Sequence, residues 1–148
     1  MLIRCANIND AEGIRQINLL ALGYDFPLSE TKDRLNYILN KPNDKIFVAD
    51  DNGAVVGYIH GSDYDCTYSL PLKNIMAIGV LESHRGKGIG RLLLNAVEDW
   101  AKADDCEGVR LVSSLYRPEA HKFYLACGYF DRKDQKNFMK LFAQRQSP

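Results

Sequence analysis

The sequence has few of the features that would place a protein in a membrane or on nucleic acid. No apolar run approaches the roughly 20 residues that a membrane helix needs, and the first residues lack the apolar segment of a signal peptide. The 19 Lys and Arg residues balance 19 Asp and Glu residues, so no net positive field attracts nucleic acid. We therefore expect a cytoplasmic protein with neither a membrane nor a nucleic-acid partner.

The four cysteines lack the spacing of a metal site. They lie far apart, at Cys5, Cys66, Cys106 and Cys127, and none belongs to a C-x-x-C pair. We expect free thiols in a reducing compartment and no bound metal. The 148 residues, 46% of them apolar, are enough for one folded domain, which we place over residues 1–148.

Hydrophobic periodicity divides the chain into strands and helices that alternate. The predicted strands are 2–5, 45–50, 54–61, 75–81 and 108–114, with a terminal antiparallel pair formed by Phe130 and 137–142. The predicted helices begin after Asn9 and Asp10, at Ser29, at Gly88 and at Pro118, and residues 62–72 are predicted to form a loop. This alternation predicts a single α/β domain.

The most informative segment joins a predicted strand to the longest predicted helix. It is a basic turn with three glycines, Arg85-Gly-Lys-Gly-Ile-Gly90. Glycines let backbone N–H groups approach an anion, and the start of a helix adds unpaired donors and a positive dipole end. The segment therefore predicts a site for a phosphate-bearing ligand.

Two common nucleotide motifs do not fit this turn. A dinucleotide fingerprint needs G-x-G-x-x-G, but Arg91 occupies the position of its third glycine. A P-loop ends in Gly-Lys-Ser/Thr, but Gly88 follows Lys87, so no hydroxyl is available for magnesium. The ligand is thus expected to be neither a dinucleotide nor a magnesium–nucleoside triphosphate.

The remaining pattern, Arg-x-x-Gly-x-Gly before a long helix, resembles the acetyl-CoA pyrophosphate loop of the GNAT family of N-acetyltransferases. Arg85, Gly88 and Gly90 are its landmarks here. A second segment, Ala120-His-Lys-Phe-Tyr-Leu-Ala-Cys-Gly-Tyr129, resembles a later family element at a typical distance. The order of predicted elements also follows the family, so the resemblance spans nearly the whole chain.

The resemblance implies the GNAT fold and a site for acetyl-CoA. The fold is a central mixed, twisted sheet of about six to seven strands with helices on both faces, in which two central parallel strands splay apart to admit the pantetheine arm. Gly79 is expected to help the central strand bulge. The implied cofactor-binding residues are Ile78 and Val80, through their backbones, and Arg85, Gly86, Lys87, Gly88, Ile89, Gly90, Arg91 and Arg117. Arg117 replaces an Asn of many members, and it either pairs with a CoA phosphate or is simply solvated.

Tyr124 occupies the family position of the general acid, and its chemistry suits that role. Acetyl transfer to an amine releases the CoA thiolate, which leaves more easily beside a proton donor. A tyrosine, with an ordinary pKa near 10, is protonated at neutral pH. We expect Tyr124 to be the catalytic residue of direct transfer from acetyl-CoA to a primary amine.

The general base and the acceptor are not determined by the motifs. Asn74 stands where the histone-modifying branch has a glutamate base, and an amide cannot serve as a base. The acceptor is expected to contact residues 23–27 and 62–72. The acidic and aromatic residues of these loops favour a cationic small-molecule amine or an exposed protein lysine: Tyr24, Asp25, Phe26, Asp63, Tyr64, Asp65 and Tyr68, with His60 nearby.

Two other functions stay open at this point. One is a non-catalytic acyl-CoA-binding sensor or partner-binding domain on the same fold, although the intact Tyr124 argues against it. The other is a transferase that uses a different donor, such as succinyl-CoA. A homodimer is compatible with either function.

Overall fold

The computed structural model describes residues 1–143, and these form five strands, four α-helices and two short 3-10 turns. The elements are β1 (Leu2–Cys5), a turn at Ile8–Asp10, α1 (Ala11–Leu20), α2 (Leu28–Leu39), β2 (Asp44–Asp51), β3 (Ala54–Tyr64), β4 (Leu72–Val80), a turn at Glu82–His84, α3 (Ile89–Ala103), β5 (Gly108–Leu111) and α4 (Pro118–Ala126). The chain forms two compact units, Met1–Leu111 and a second that begins at Val112. Of the helices in this described part, none is long and apolar enough to cross a membrane.

The first unit contains one mixed sheet whose strands follow one another in chain order, from β1 to β5. β1 to β4 are antiparallel neighbours, whereas β5 runs parallel to β4 after the crossover through α3. The predicted α/β class with a mixed sheet is confirmed. The count within residues 1–143 is five strands rather than six to seven.

Helices cover both faces of this sheet, as predicted. On one face, Tyr58 of β3 belongs to a buried cluster with Ile14 and Ile17 of α1 and Leu35 of α2. Successive strand residues point to opposite faces. The neighbouring Gly57 accordingly faces α3, where an added Cβ would lie 3.3 Å from a methyl group of Leu93. The glycines of β3 thus let α3 pack closely against the sheet.

The predicted terminal antiparallel pair is wrong, because residues 129–143 contain no strand. Phe130 and Phe138 are both more than three-quarters exposed. An isolated two-stranded hairpin is marginally stable, and Phe130 offers only one apolar residue to pair with 137–142. The predicted loop at 62–72 is also shorter than expected. β3 continues to Tyr64 and β4 begins at Leu72, because the two strands pair across this region.

Candidate functional site

β4 has a free backbone edge over its second half. β5 pairs with β4 only from Leu72 to Ile75. On the other side of β4, the Leu81 N–H donates to the Val56 carbonyl at 2.8 Å. Because backbone groups of successive residues in an antiparallel strand alternate in direction, those of Ile78 and Val80 point away from β3. They face the side on which pairing with β5 has ended.

The bulge in β4 lies at Met76 and not at Gly79, where it was expected. His60 of β3 pairs with Ala77, while the next residue, Gly61, pairs with Ile75, so Met76 is the extra residue. Gly79 has a different function in the fold. A Cβ there would lie 2.8 Å from the Cγ2 atom of Ile17, so the glycine lets α1 pack onto the strand.

The glycine turn presents a row of backbone N–H groups without backbone acceptors. Gly86 and Gly88 have φ angles of 76° and 81°, in the left-handed region that favours glycine, and the space around both is open. The first helical bond of α3 runs from the Leu92 N–H to the Gly88 carbonyl at 3.1 Å. Within residues 1–143, no backbone carbonyl accepts from the N–H groups of residues 86–90. These donors are therefore available to an anion.

The side chains around this turn add positive charge. Arg85 and Lys87 are exposed, and neither forms an ion pair with another described residue. Arg91 lies one residue into the first turn of α3 and is also exposed. The Nε atom of Arg85 donates to the Val80 carbonyl at 3.1 Å, so that carbonyl already has a donor. The helix dipole and these cations together favour a phosphate at the start of α3.

A histidine that the sequence analysis did not select holds the turn to the β2–β3 hairpin. His84 Nε2 lies 2.9 Å from Asp51 Oδ2, and His84 Nδ1 lies 2.8 Å from Ser83 Oγ. Because a carboxylate only accepts, the Nε2–H donates to Asp51. The sequence signals a role for His84 only by its position, directly before Arg85 of the glycine turn. Its partner lies 33 residues earlier in the chain, so the pair could not be read from local spacing.

Tyr124 lies on α4, in the second unit. This helix begins with Pro118 and is followed by Gly128, whose φ of 91° ends it, as predicted. The Tyr124 ring packs against those of Phe123 and Tyr129, with centroids 5.4 and 6.2 Å away. Burial raises the pKa of Tyr124 above its ordinary value, although the positive charge of Arg117 acts in the opposite direction. The hydroxyl thus keeps its proton at neutral pH.

Arg117 and His121 have different surroundings at the start of α4. Arg117 precedes the first residue of the helix and is exposed, so its guanidinium is accessible to a ligand. The Nε2 atom of His121 donates to the Ser114 carbonyl at 2.8 Å. This bond orients the histidine within its own unit.

Two residues considered for proton transfer or acceptor contact already have partners. His60 Nε2 lies 2.7 Å from a carboxylate oxygen of Asp44, which is almost fully buried. The Asn74 oxygen accepts from Arg110 at 2.6 Å, and its amide nitrogen donates to the sulfur of Met76 at 3.0 Å. The position that carries a glutamate base in one branch of GNAT proteins is therefore occupied by an amide with two partners.

The described residues contain no group of three or more His, Cys, Asp or Glu side chains that could hold a metal ion. The four cysteines, all within this part of the chain, are free thiols.

Comparisons with known proteins give a consistent result. Residues 11–129 match the model of the acetyltransferase (GNAT) family. The chain is 31% identical over 134 residues to an uncharacterized N-acetyltransferase of Methanocaldococcus jannaschii, covering 90% of this chain and 80% of the relative. It is 28% identical over 128 residues to an aminoalkylphosphonate N-acetyltransferase of Salmonella typhimurium, and the match covers 86% of this chain and 83% of the relative. Its fold is similar to that of AAC(6')-Iy in complex with a CoA-containing bisubstrate analogue, with a TM-score of 0.82, 23% identity, and 95% and 97% of the two chains covered.

Proposed function

The chain belongs to the GNAT family of acetyltransferases, and we propose that it is an N-acetyltransferase that uses acetyl-CoA as donor and a small-molecule primary amine as acceptor. The row of N–H groups at residues 86–90 is the observation that best supports this proposal. Such a row suits a pyrophosphate, and it follows the strand whose free edge suits an extended amide chain. Acetyl-CoA has both of these chemical features.

In this proposal the cofactor is bound mainly by backbone groups. The pyrophosphate accepts from the N–H groups of residues 86–90, while the charges of Arg85, Lys87 and Arg91 lower the cost of holding it. The pantetheine amides pair with the free edge of β4, through the backbone of Ile78 and the N–H of Val80. Arg117 is proposed to contact a CoA phosphate.

The chemistry is a direct transfer. The neutral amine attacks the thioester carbonyl carbon, an N–C bond forms, and the C–S bond of acetyl-CoA breaks. The departing thiolate takes the proton of the Tyr124 hydroxyl, and the tyrosinate is reprotonated from water. The proton lost by the amine leaves to solvent, so the products are the acetamide and CoA thiol. The raised pKa of Tyr124 keeps the acid protonated between turnovers.

The comparisons support a small-molecule acceptor over a protein lysine. The Salmonella relative is named for an aminoalkylphosphonate, and AAC(6')-Iy is named as an aminoglycoside N-acetyltransferase. These two acceptor classes differ in charge, since an aminoalkylphosphonate carries an anionic group and an aminoglycoside carries several amines. We propose a small amine for this chain.

We also propose that the whole chain works as one acetyltransferase domain. The family model covers residues 11–129 and thus takes in parts of both compact units. The four free thiols suit a reducing compartment, and we place the protein in the cytoplasm.

Two measurements on the full-length protein test the proposed function. Thermal shift with acetyl-CoA, CoA and succinyl-CoA should show stabilisation by all three if the CoA moiety is recognised. Release of free thiol from acetyl-CoA should then require an added amine. Stabilisation without thiol release from any amine of a broad panel would favour a non-catalytic sensor. Absence of stabilisation by CoA would contradict the cofactor site itself.

A further inference from the structure

We propose that the acceptor amine carries a compact anionic group, such as a phosphonate or carboxylate, and that Arg110 binds this group. The inference rests on the proposed function and specifies its substrate class. It is the opposite of the expectation from the loop sequences, which favoured a cationic acceptor.

Two of the three acidic residues that suggested a cationic acceptor form ion pairs within the protein. Asp63 binds the Lys73 ammonium at 2.5 Å, and Lys73 is only 2% exposed. Asp25 lies 3.4 Å from the guanidinium of Arg15. Asp65 is exposed, and it alone of the three has no ion-pair partner among residues 1–143. Two of these three carboxylates therefore already have a cationic partner in the protein, although Lys73 is shared with Asp104 at 2.6 Å.

Arg110 has the opposite character, because it is a fixed cation without a carboxylate. Its guanidinium carbon lies 4.2 Å from the ring centre of Tyr64, and its Nη1 donates to Asn74 at 2.6 Å. Within residues 1–143 it forms no ion pair. Since Tyr64 and Asn74 are both neutral, the full charge of Arg110 is available to a ligand. Tyr64 is correspondingly less available for a cation–π contact with an amine, because Arg110 already occupies that place.

The place of Arg110 in the sheet is beside the free edge of β4. Arg110 pairs with Asn74, one residue before the last β4–β5 pair, so it lies at the point where the two strands separate. The preceding Lys73 packs on Trp100 of α3. Arg110 and Asn74 therefore lie on the opposite face of the sheet. Met76, which contacts Asn74, is 58% exposed, so solvent reaches this part of the face.

A planar guanidinium that is held by stacking and by one hydrogen bond is well suited to a compact oxyanion. One edge of Arg110 is used by Asn74, while its remaining N–H groups can donate in parallel to two oxygens. Phosphonate and carboxylate groups offer such oxygens. An amine joined to one of them by a short chain would place its nitrogen near the fork of the strands while its anion binds Arg110.

Steady-state kinetics with four acceptors of matched length test the inference. 2-Aminoethylphosphonate, β-alanine, ethanolamine and ethylenediamine present the same amine next to a phosphonate, a carboxylate, a hydroxyl and a second amine. We expect the wild-type protein to favour one or both anionic acceptors in kcat/KM. Arg110→Gln should raise KM for the favoured anionic acceptor by about 10- to 100-fold, the range typical of a lost charge-assisted bond. KM for acetyl-CoA and for ethanolamine should change little.

Arg34→Gln provides a matched control, because Arg34 also stacks on a tyrosine, Tyr37, at 4.9 Å, but on the exposed surface of α2. The Arg34→Gln variant should leave KM and kcat/KM unchanged for all four acceptors. Equal use of ethanolamine and the anionic acceptors, or an unchanged anionic KM in Arg110→Gln, would overturn the inference and leave the proposed function standing. Thiol release with none of a broad amine panel would overturn both.

Discussion

The proposed cofactor site and the proposed acceptor site of this protein are built from different chemical groups. The proposed acetyl-CoA site consists mainly of backbone groups, namely the N–H row at residues 86–90 and the free edge of β4. The acceptor region consists of side chains whose charge depends on their partners, as Asp63 and Arg110 illustrate. A backbone site is fixed by local conformation, whereas the charge of a side-chain site is fixed by contacts across the fold.

The largest expected effect lies in the second unit, at Tyr124, the proposed catalytic residue. Tyr124→Phe removes the proposed acid while it keeps the ring that packs on Phe123. Turnover should fall by roughly 10²- to 10⁴-fold, the usual contribution of general acid catalysis. KM for acetyl-CoA should change little, because the cofactor is proposed to bind mainly to backbone groups of other residues. Steady-state kinetics check this, with the exposed Tyr116→Phe as control. Unchanged turnover would remove Tyr124 from the mechanism.

A second variant asks whether an acidic residue of the acceptor region is structural. Asp63→Asn removes one of two carboxylates that hold Lys73, whose other partner, Asp104, lies 2.6 Å away. We expect unfolding free energy to fall by about 1–3 kcal/mol, because a buried ammonium loses a charged partner. Acceptor KM should be unaffected. Denaturant unfolding and kinetics measure the two effects, and the exposed neighbour Asp65→Asn is the control. A raised acceptor KM at unchanged stability would make Asp63 a binding residue.

The same cluster predicts a pH dependence of stability. The Lys73 bond lowers the pKa of Asp104, so the stability it provides is present above the unfolded pKa of about 3.9 and is lost as the pH falls below it. Burial lowers the pKa of Lys73, but its bonds to Asp104 and Asp63 outweigh this and raise it. That contribution is present below an unfolded pKa of about 10.4 and is lost as the pH rises through the folded value. Thermal melts against pH should show a smaller alkaline loss in Asp63→Asn, because the folded pKa of Lys73 is raised less when one of its two carboxylate partners is missing.

The backbone region is tested by a pair of glycine substitutions. Gly88→Ala and Gly53→Ala both place a Cβ in open space at a left-handed φ, 81° and 92° respectively. Each should lower stability by about 1–2 kcal/mol through backbone strain. Only Gly88→Ala should also lower the affinity for acetyl-CoA, because it alone distorts the row of N–H groups at residues 86–90. Calorimetric titration with acetyl-CoA distinguishes the two variants. If Gly88→Ala and Gly53→Ala bound acetyl-CoA with equal affinity, the phosphate site would lie elsewhere.

The smallest expected effect concerns the attachment of the glycine turn to the hairpin. Asp51→Ala removes the acceptor of the His84 bond, and Asp51→Asn keeps an oxygen that can accept it. KM for acetyl-CoA should rise by about 3- to 10-fold in the alanine variant, which corresponds to one ordinary hydrogen bond. The asparagine variant should stay near wild type. An alanine variant with wild-type KM would show that the pair does not position the loop.

Local patterns predicted the elements that depend on local conformation. Three such places have residues with positive φ, and each is marked in the sequence by Gly or Asn. They are the hairpin turn at Asn52 and Gly53, the start of α3 after Gly88 and the end of α4 before Gly128. The bulge could not be placed this way. Met76 becomes the extra residue only because the pairing of β3 with β4 shifts at that point.

By itself, the sequence determined the α/β class, the glycine turn that we propose as a phosphate site and the resemblance to an acetyltransferase family, because glycine conformation and motif spacing are local properties. Tertiary structure alone decided which charges remain available. Lys73 meets Asp63 and Asp104 across 10 and 31 residues of chain, and Arg110 meets Asn74 across 36. Electrostatic interactions depend on distance in space and on burial, so two carboxylates of the acidic loops are paired, while Arg110 of β5 places a cation where β4 and β5 separate.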